Sequence, residues 1–256
     1  MNQSSFQPIN SHSWENIRLI ATDMDGTLTQ SEKFDVKLCQ ILTRLSTAGI
    51  DVLVTTGRSA GWVQAIATYL PVVGAMAENG GLLYWNRQPQ PHLTSEINIE
   101  QHRRQLSRVF ELLQRKFPQI EESVDNYYRI TDWTFEVENL SPSELEQIDL
   151  VCQSEGYGFT YSTVQCHIKP KYQDKAYGLN QIIPQYFPDL KPEEMITVGD
   201  SPNDESMFNR VEFPLSVGVA NVKRYSDRLK YLPAYVTSES EATGFYELAE
   251  LIISQR

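Results

Sequence analysis

Two aspartates that stand two positions apart, Asp23 and Asp25, are followed directly by Gly26 and Thr27. Glycine permits a sharp turn, so both carboxylates can point into one crevice, where they are suited to binding a metal. A simple Asx-type turn would use the same residue types. A calcium-binding EF-hand loop does not fit, because glycine comes at the fourth position instead of the sixth and Phe34 stands where that loop needs glutamate.

A second polar segment, from Thr55 to Ser59, offers a place for an anion. The hydroxyl of Thr56, the free amide of Gly57 and the start of a helix together favour a bound negative charge. An ordinary strand-to-helix turn with a solvated Arg58 is the alternative interpretation.

A third candidate is Lys175, in the first turn of a predicted helix. A cation at this end of a helix faces the positive end of the helix dipole, which costs roughly 0.3–1 kcal/mol. An anion bound between the two removes that conflict. A solvent-exposed lysine is the alternative, and Lys169 and Lys171 are near enough in sequence to take the same role.

The fourth polar segment runs from Gly199 to Asp204. Ser201, Pro202 and Asp204 match the signals of a helix start, namely an N-cap, a proline at the first position and an acid at the third. These signals leave Asp200 unexplained as a further carboxylate at the end of a strand.

If the strands before these segments are neighbours, four carboxylates converge within several ångströms. They belong to Asp23, Asp25, Asp200 and Asp204. Each close pair would repel by roughly 4 kcal/mol at 4 Å in an effective dielectric of about 20. No basic cluster in the sequence offsets this repulsion, whereas an oxygen-only ligand set suits Mg²⁺. The charge balance therefore predicts Mg²⁺ as a cofactor.

The elements that must position these residues alternate between strands and helices at both ends of the chain. Apolar runs predict buried strands at 17–22, 51–55, 72–77, 195–198 and 215–219. Helical spacing of apolar residues is found in four stretches: Leu38, Ile41, Leu42 and Leu45; Trp62, Ala65, Ile66 and Tyr69; Leu179, Ile182, Ile183 and Tyr186; Phe245, Leu248, Ala249 and Ile252. This alternation predicts an α/β fold with a Rossmann-like parallel sheet, helices on both of its faces and the polar segments at its ligand-binding edge.

The middle of the chain, residues 86–170, has a different pattern. Its predicted strands alternate strictly between apolar and polar residues, which indicates one face in water. The polar positions are Thr134, Glu136, Glu138, Gln165, His167 and Lys169. A helix opens with the capping box from Ser141 to Glu144. We therefore predict an inserted α+β cap at 86–170, a core domain at 17–85 and 171–256, and a polar N-terminal extension at 1–16.

Composition narrows the function classes. The 256 residues carry 22 basic and 33 acidic side chains, a net charge of −11, without a basic cluster. Such a chain is poorly suited to nucleic acid or to an anionic membrane. The three cysteines, Cys39, Cys152 and Cys166, have no metal-site spacing and are expected to be buried free thiols. Without a signal-peptide pattern or an apolar run of membrane-spanning length, we expect a cytoplasmic protein.

The four polar segments resemble the motifs of the haloacid dehalogenase superfamily. The first is DxDGT at Asp23, the second is the hydroxyl-Gly-Arg motif at Thr56, the third is Lys175, and the fourth is GDxxND from Gly199. The insert resembles in size and position the C2-type cap of subclass IIB, found in Cof-like and sugar-phosphate phosphatases. The segment starting at Glu78 is similar to the ENG sequence common in that subclass. The likeness covers the core, and the third motif differs in having alanine after the lysine.

The resemblance implies a phosphatase that hydrolyses phosphate monoesters of small metabolites such as sugar phosphates or phospho-acids. Asp23 would attack phosphorus and form an aspartyl-phosphate, and Asp25 would serve as general acid and then as general base. The implied phosphate-binding residues are Thr56, Gly57, Arg58, Lys175 and Asn203. The implied Mg²⁺ ligands are Asp23, the carbonyl of Asp25 and Asp200, with Asp204 ligating or supporting.

Two other functions stay open from the sequence. A phosphomannomutase-like sugar phosphomutase shares the first motif and the ENG segment, although its second motif differs from that at Thr56. A catalytically silent metal-binding module could also keep this fold. The substrate stays undetermined at this stage, with Tyr128, Trp133, Gln165, His167 and Lys169 as candidates for lining the cap side of the site.

Overall fold

The computed structural model describes residues 6–85, 88, 90–162 and 165–256. Its strands are β1 (Gln7–Pro8), β2 (Leu19–Thr22), β3 (Asp51–Thr55), β4 (Gly74–Ala77), β5 (Leu82–Trp85), β6 (His92–Leu93), β7 (Trp133–Glu136), β8 (Tyr157–Tyr161), β9 (Gln165–Pro170), β10 (Met195–Gly199), β11 (Ser216–Gly218) and β12 (Tyr235–Val236). Its α-helices are α1 (Val36–Thr47), α2 (Ala60–Tyr69), α3 (Ile99–Lys116), α4 (Pro142–Ser154), α5 (Lys175–Tyr186) and α6 (Glu241–Ser254). Short 3₁₀ helices lie at Ile9–Ser11, Val124–Tyr128, Pro192–Glu194, Pro202–Phe208 and Ala220–Tyr225.

A large sheet forms the centre of the molecule. Within the described residues it has nine strands in the order β1-β12-β11-β10-β2-β3-β4-β5-β6. The strands from β1 to β4 in this order are parallel, and β5 and β6 add to the edge in antiparallel fashion. Helices α1, α2 and α6 cover one face and α5 covers the other. The predicted α/β fold class with its parallel core is confirmed.

Local signals explain where several helices begin. The side chain of Asp35 accepts a hydrogen bond from the backbone of α1, and Asp174 does the same at the start of α5. The predicted capping box of α4 is present, with Ser141 and Glu144 bonded reciprocally. These caps satisfy backbone groups that the first turn of a helix leaves without partners.

The apolar face of α2 differs from the prediction. The sequence pattern placed Trp62 and Tyr69 inward, but these two side chains are exposed, whereas Val63 and Ile66 are buried. This helix is apolar on nearly all sides, so periodicity alone does not select the buried face. Trp62 lies instead beside Arg58, and the guanidinium carbon of Arg58 is 5.4 Å from the centroid of the Trp62 ring.

A second, three-stranded antiparallel sheet in the order β7-β9-β8 lies within the predicted insert. One face packs with α3 and α4 around Phe135, Cys166 and Ile168. The opposite face was predicted to lie in water, yet Thr134 and His167 are both buried. That face is turned toward the large sheet and its loops. The prediction failed because alternation shows only that a face is polar and not what covers it.

The outer parts of the predicted division also differ in detail. Residues 1–5 of the predicted extension lie outside the described residues, but β1 joins the large sheet, and Ile9 and Trp14 are buried in its core. Strand β6, predicted within the insert, pairs with β5 of the large sheet. The segment 7–16 is short and mixed in composition, so its pairing partner far along the chain could not be recognised from local pattern.

Cysteine burial follows the prediction for two residues of three. Cys152 and Cys166 are buried, whereas Cys39 is exposed. Burial raises the pKa of Cys152 to about 12, so this thiol stays protonated at neutral pH. Among the described residues, no helix combines the length and apolar composition needed to cross a bilayer.

Candidate active site

The four polar segments meet at the carboxyl edge of the large sheet. Strand β2 lies between β10 and β3, so the loops that follow these three strands are adjacent. Asp23 follows β2, Thr56 follows β3 and Asp200 follows β10. The backbone amide of Asp23 continues the ladder by donating to the carbonyl of Val198 at 2.8 Å. The topology thereby brings together residues far apart in the chain, as expected for ligand sites in open α/β sheets.

Lys175 is the lysine that reaches this edge. Its Nζ lies 2.5 Å from Asp23 Oδ1 and 2.6 Å from Asp204 Oδ1, and its side chain is fully buried. Of the two competing lysines, Lys169 is bonded instead to the carbonyl of Gln173, and Lys171 is exposed. A buried lysine needs such partners, because an unpaired charge in this position would be strongly unfavourable.

Asp204 uses both of its oxygens within the protein. Oδ1 accepts from Lys175, while Oδ2 accepts from the backbone amides of Asp200 at 2.8 Å and Ser201 at 3.1 Å. Asp204 therefore shapes the turn after β10 and fixes Lys175. It also explains Gly199, since a Cβ there would lie 2.5 Å from the Asp204 side chain.

Asp200 presents an oxygen that nothing in the described chain satisfies. Its Oδ2 accepts from Asn221 Nδ2 at 2.7 Å, but Oδ1 is buried and has no hydrogen-bond partner within the described residues. Carboxylate oxygens of Asp23, Asp200 and Asp204 all lie within 4.8 Å of one another. An orphaned buried carboxylate oxygen within such a cluster is what a hard divalent cation requires, so these residues fit Mg²⁺.

The electrostatics of the cluster show the same imbalance. Burial raises the pKa of Asp23 to about 8, and repulsion from Asp204 adds to that effect while Lys175 opposes it. Burial and then Asp23 raise the pKa of Asp200 well above its ordinary value. Burial alone would lower the pKa of Lys175, but attraction to Asp204 and Asp23 outweighs it and raises that pKa. The single positive charge of Lys175 thus stands against the three carboxylates of Asp23, Asp200 and Asp204, and a further cation would offset the remaining negative charge.

Asp25 is held by an arginine from the second motif. Arg58 contacts both oxygens of the Asp25 carboxylate, with Nε at 2.9 Å and a terminal nitrogen at 2.7 Å. The Thr56 hydroxyl accepts from the Arg58 amide at 3.2 Å and stabilises the turn into α2. Such a bidentate pair fixes the direction of both partners. The sequence predicted each of these residues at the site but not their pairing.

A narrow cleft with about 20 Å³ of free volume lies between this edge and the insert. It is lined by Asp23, Asp25, Thr56, Gly57, Arg58, Ser162, Gln165, His167, Ser201 and Asn203. Of the five insert residues named as candidates, Gln165 and His167 lie in this lining. Trp133 packs instead against Arg103, whose guanidinium carbon is 4.3 Å from the centroid of the Trp133 ring. Tyr128 is largely exposed.

Two buried charged residues join the insert to the core, and the sequence indicated this role for neither of them, although Glu78 was noted as the start of the ENG segment. The carboxylate of Glu78 accepts from the amide of Ala60 at the start of α2 and from the amides of Ile130 and Thr131 in the insert. Arg129 donates to the carbonyl of Gly57 at 3.0 Å. A composition pattern cannot reveal such residues, because charged side chains are ordinarily exposed. Both contacts tie the second-motif loop directly to the insert.

Comparison with known proteins agrees with this geometry. A family model described as haloacid dehalogenase-like hydrolase matches residues 20–132 and 118–248. "Phosphoglycolate phosphatase 1" of Saccharolobus solfataricus is 25% identical over 244 residues, which cover 93% of this chain and 96% of that protein. The crystal structure of Thermoplasma acidophilum 0175 matches with a TM-score of 0.74 and 21% identity, covering 96% of this chain and 100% of the other. The HAD subclass IIB sugar phosphatase BT4131 matches with a TM-score of 0.66 and 14% identity, covering 91% of this chain and 96% of the other.

The Rossmann-like core and the four motifs at its carboxyl edge define a hydrolase of the phosphoryl-transfer type. The chain belongs to the haloacid dehalogenase-like hydrolase family. The predicted superfamily and the predicted phosphatase class are thereby confirmed.

Proposed function

We propose that this protein is a Mg²⁺-dependent phosphatase that hydrolyses phosphate monoesters of small metabolites through an aspartyl-phosphate on Asp23. The observation that carries this proposal is the contact of Lys175 with both Asp23 and Asp204, beside Asp200 with its unpartnered oxygen. It supports the proposal because the proposed nucleophile Asp23, which lines the cleft, lies next to a cation and a candidate metal site. Phosphoryl transfer needs mainly this combination of positioning and charge stabilisation.

In this proposal the two aspartates of the first motif have different roles. Asp23 is buried, and Lys175 holds its Oδ1, so the carboxylate is oriented for attack on phosphorus. Asp25 gives a proton to the leaving alcohol and later takes one from the water that hydrolyses the intermediate. Because Arg58 occupies both oxygens of Asp25, it must release one of them first. The anionic phosphoryl group offers Arg58 a new partner, which gives this residue its predicted place among the phosphate ligands.

The other proposed phosphate ligands lie at or near the same cleft. Thr56, the amide of Gly57 and Asn203 line the cleft, and Lys175 reaches it from α5. Asp23, the carbonyl of Asp25 and Asp200 would hold the metal, while Asp204 supports it through Lys175 and the backbone. When bound, Mg²⁺ supplies positive charge that offsets the carboxylates and the phosphoryl oxygens.

The narrow cleft and the relatives limit the substrate. Only about 20 Å³ is open between the motifs and the insert, which favours a small phosphorylated molecule over a bulky one. Sugar phosphates and small phospho-acids are therefore the proposed substrate class, and the name of the S. solfataricus relative adds phosphoglycolate to the candidates. We keep the division into a core at 17–85 and 171–256 and a cap at 86–170 as a proposal, with strand β6 assigned to the core. A cytoplasmic location, and no partnership with nucleic acid or membrane, stay predictions from the acidic composition.

A screen of phosphorylated metabolites for release of inorganic phosphate tests the proposal. We expect Mg²⁺-dependent release, loss of release with a chelator, and loss by at least 10³-fold in Asp23→Asn because the nucleophile is gone. Asp189→Asn, an exposed aspartate outside the lining of the cleft, is the matched control. Turnover that persists in Asp23→Asn or in the absence of divalent metal contradicts the mechanism. Formation of an isomeric sugar phosphate without release would instead indicate the phosphomutase, and Mg²⁺ binding without turnover would indicate a silent module.

A further inference from the structure

A buried chain of charged side chains runs through the insert and ends at the cleft. Arg129 lies 3.0 Å from both carboxylate oxygens of Asp132, and Asp132 Oδ2 lies 2.8 Å from Nδ1 of His167. All three side chains are at least nine-tenths buried. The His167 ring stands against the second-motif loop, since a Cβ on Gly57 would lie 3.2 Å from its Cε1. An imidazole is therefore held in one orientation beside the phosphate-binding loop.

The contacts of His167 determine which ring nitrogen carries the proton. Although burial alone would raise the pKa of Asp132, Arg129 and the His167 ring hold that pKa below its ordinary value, so the carboxylate only accepts hydrogen bonds. The proton of a neutral imidazole must then be on Nδ1. A second proton on Nε2 is disfavoured, because burial lowers the pKa of His167 and the Arg129 cation lies nearby. Nε2 is left with a lone pair and has no hydrogen bond to any described residue.

The cations near the cleft already have partners. Lys175 is shared by Asp23 and Asp204, and Arg58 is held by both oxygens of Asp25. Arg129 contacts Asp125, Asp132 and the Gly57 carbonyl, and so does not face the ligand. Among the described lining residues, the insert side of the cleft thus presents polar groups without a positive charge. A carboxylate on the alcohol part of a substrate would find no cation there and would face a lone pair.

We propose that Nε2 of His167 accepts a hydrogen bond from a hydroxyl group on the alcohol part of the substrate. The site then selects phosphate monoesters that carry a hydroxyl close to the ester over those that carry a carboxylate at that position. This inference rests on the proposed phosphatase function and narrows its substrate class to phosphorylated polyols and sugars. Asp132 is a positioning residue in this scheme, because it acts on the substrate only through the proton on His167.

Three two-carbon esters that differ only at the end of the chain test the proposal. They are 2-hydroxyethyl phosphate, ethyl phosphate and phosphoglycolate, which end in a hydroxyl, a methyl and a carboxylate. We expect kcat/KM of the wild-type protein with Mg²⁺ to be about 10-fold higher for 2-hydroxyethyl phosphate than for ethyl phosphate, the effect of one hydrogen bond of ordinary strength. Phosphoglycolate should not exceed ethyl phosphate.

Two variants separate the contact from a general effect on the cleft. In His167→Phe the ring has no acceptor, so the 10-fold preference for the hydroxyl should fall to about one. In Asp132→Asn the side-chain amide can donate to Nδ1 and move the proton to Nε2, so the ratio of phosphoglycolate to 2-hydroxyethyl phosphate should rise about 10-fold. His92→Phe, a histidine outside the cleft lining, is the matched control and should keep the wild-type ratios.

The outcomes are distinct from those of the function test. Release of phosphate from all three esters without a preference for the hydroxyl, or with phosphoglycolate preferred by the wild type, overturns this inference and leaves the phosphatase proposal standing. A hydroxyl preference that persists in His167→Phe overturns it as well. The absence of phosphate release from every ester would overturn both proposals. If Asp132→Asn does not fold, the wild-type ratios and His167→Phe still decide.

Discussion

The strongest test of the carboxylate cluster is the stability of Asp200→Asn without divalent metal. Oxygens of Asp23, Asp200 and Asp204 lie within 4.8 Å of one another, so each ionised pair repels by about 3 kcal/mol at an effective dielectric of about 20. The substitution removes two of these repulsions. It also removes attraction between Asp200 and Lys175, and protons already bound to the cluster reduce the repulsion. We therefore expect the metal-free variant to be about 1–3 kcal/mol more stable than the metal-free wild type near pH 8.

The measurement is thermal unfolding in EDTA and in Mg²⁺. At roughly 2–4 °C per kcal/mol for a chain of this size, the melting temperature of Asp200→Asn in EDTA should be several degrees above that of the wild type. The order should reverse at saturating Mg²⁺, because a metal present at about 1,000 times its Kd adds about 4.1 kcal/mol to the protein that binds it. Asp227→Asn, which removes an exposed charge outside the cluster, should change neither value appreciably.

The pH dependence of the metal-free wild type follows from the same cluster. The folded-state pKa of Asp23 is raised from 3.8 to about 8, and that of Asp200 is raised in the same direction. The folded state therefore binds more protons than the unfolded chain, and the associated stability is lost as pH rises from about 4 through 8. Excess Mg²⁺ should flatten this loss. A metal-free Asp200→Asn that is less stable than the wild type at pH 8, with no gain from Mg²⁺ in the wild type, would refute the reasoning.

Two further predictions concern buried charges. Lys175→Met should destabilise the metal-free protein by about 3–5 kcal/mol in urea unfolding and reduce phosphate release by at least 100-fold, because Asp23 and Asp204 lose their shared cation. Substitution of the exposed Lys171 by Met is the control. Equal effects of the two substitutions would contradict the role of Lys175. Glu78→Gln should destabilise the protein by about 1–3 kcal/mol in the same assay, since an amide replaces a carboxylate that accepts hydrogen bonds from Ala60, Ile130 and Thr131. Glu146→Gln, on the exposed side of α4, is its control. Equal stability of the two variants would show that the contact of Glu78 with the insert contributes nothing.

Local sequence patterns predicted much of the core. Strand β3 begins and ends where the apolar run predicted, and the apolar stripe of α1 is buried as expected. The capping box at Ser141 is likewise a local feature and forms as predicted. Such elements are readable because their signals lie within one turn or one strand. The face of α2 was not readable, since its apolar residues surround the whole helix.

The sequence predicted which residues belong to the candidate site and at which edge of the sheet they lie. Which of these side chains contact each other was decided by tertiary structure. Motif spacing and strand ends were sufficient to bring Asp23 and Asp200 to one rim of the sheet. They did not reveal that Arg58 holds Asp25, that Asp204 uses both oxygens within the protein, or that Asn221 donates to only one oxygen of Asp200. These contacts depend on rotamers and on loops that meet only after the strands have aligned.

The sequence by itself determined the family chemistry, because motif residues at the ends of parallel strands are brought to one edge by the sheet whatever the insert does. The tertiary structure decided what the insert contributes. Alternation in β9 showed that His167 belongs to a polar face, but only the packing of that face on the second-motif loop makes it part of the cleft. In the proposed scheme, the contact of buried Asp132 with Nδ1 then fixes the proton on the imidazole. Contacts between segments distant in the chain create that environment, and no local pattern encodes it.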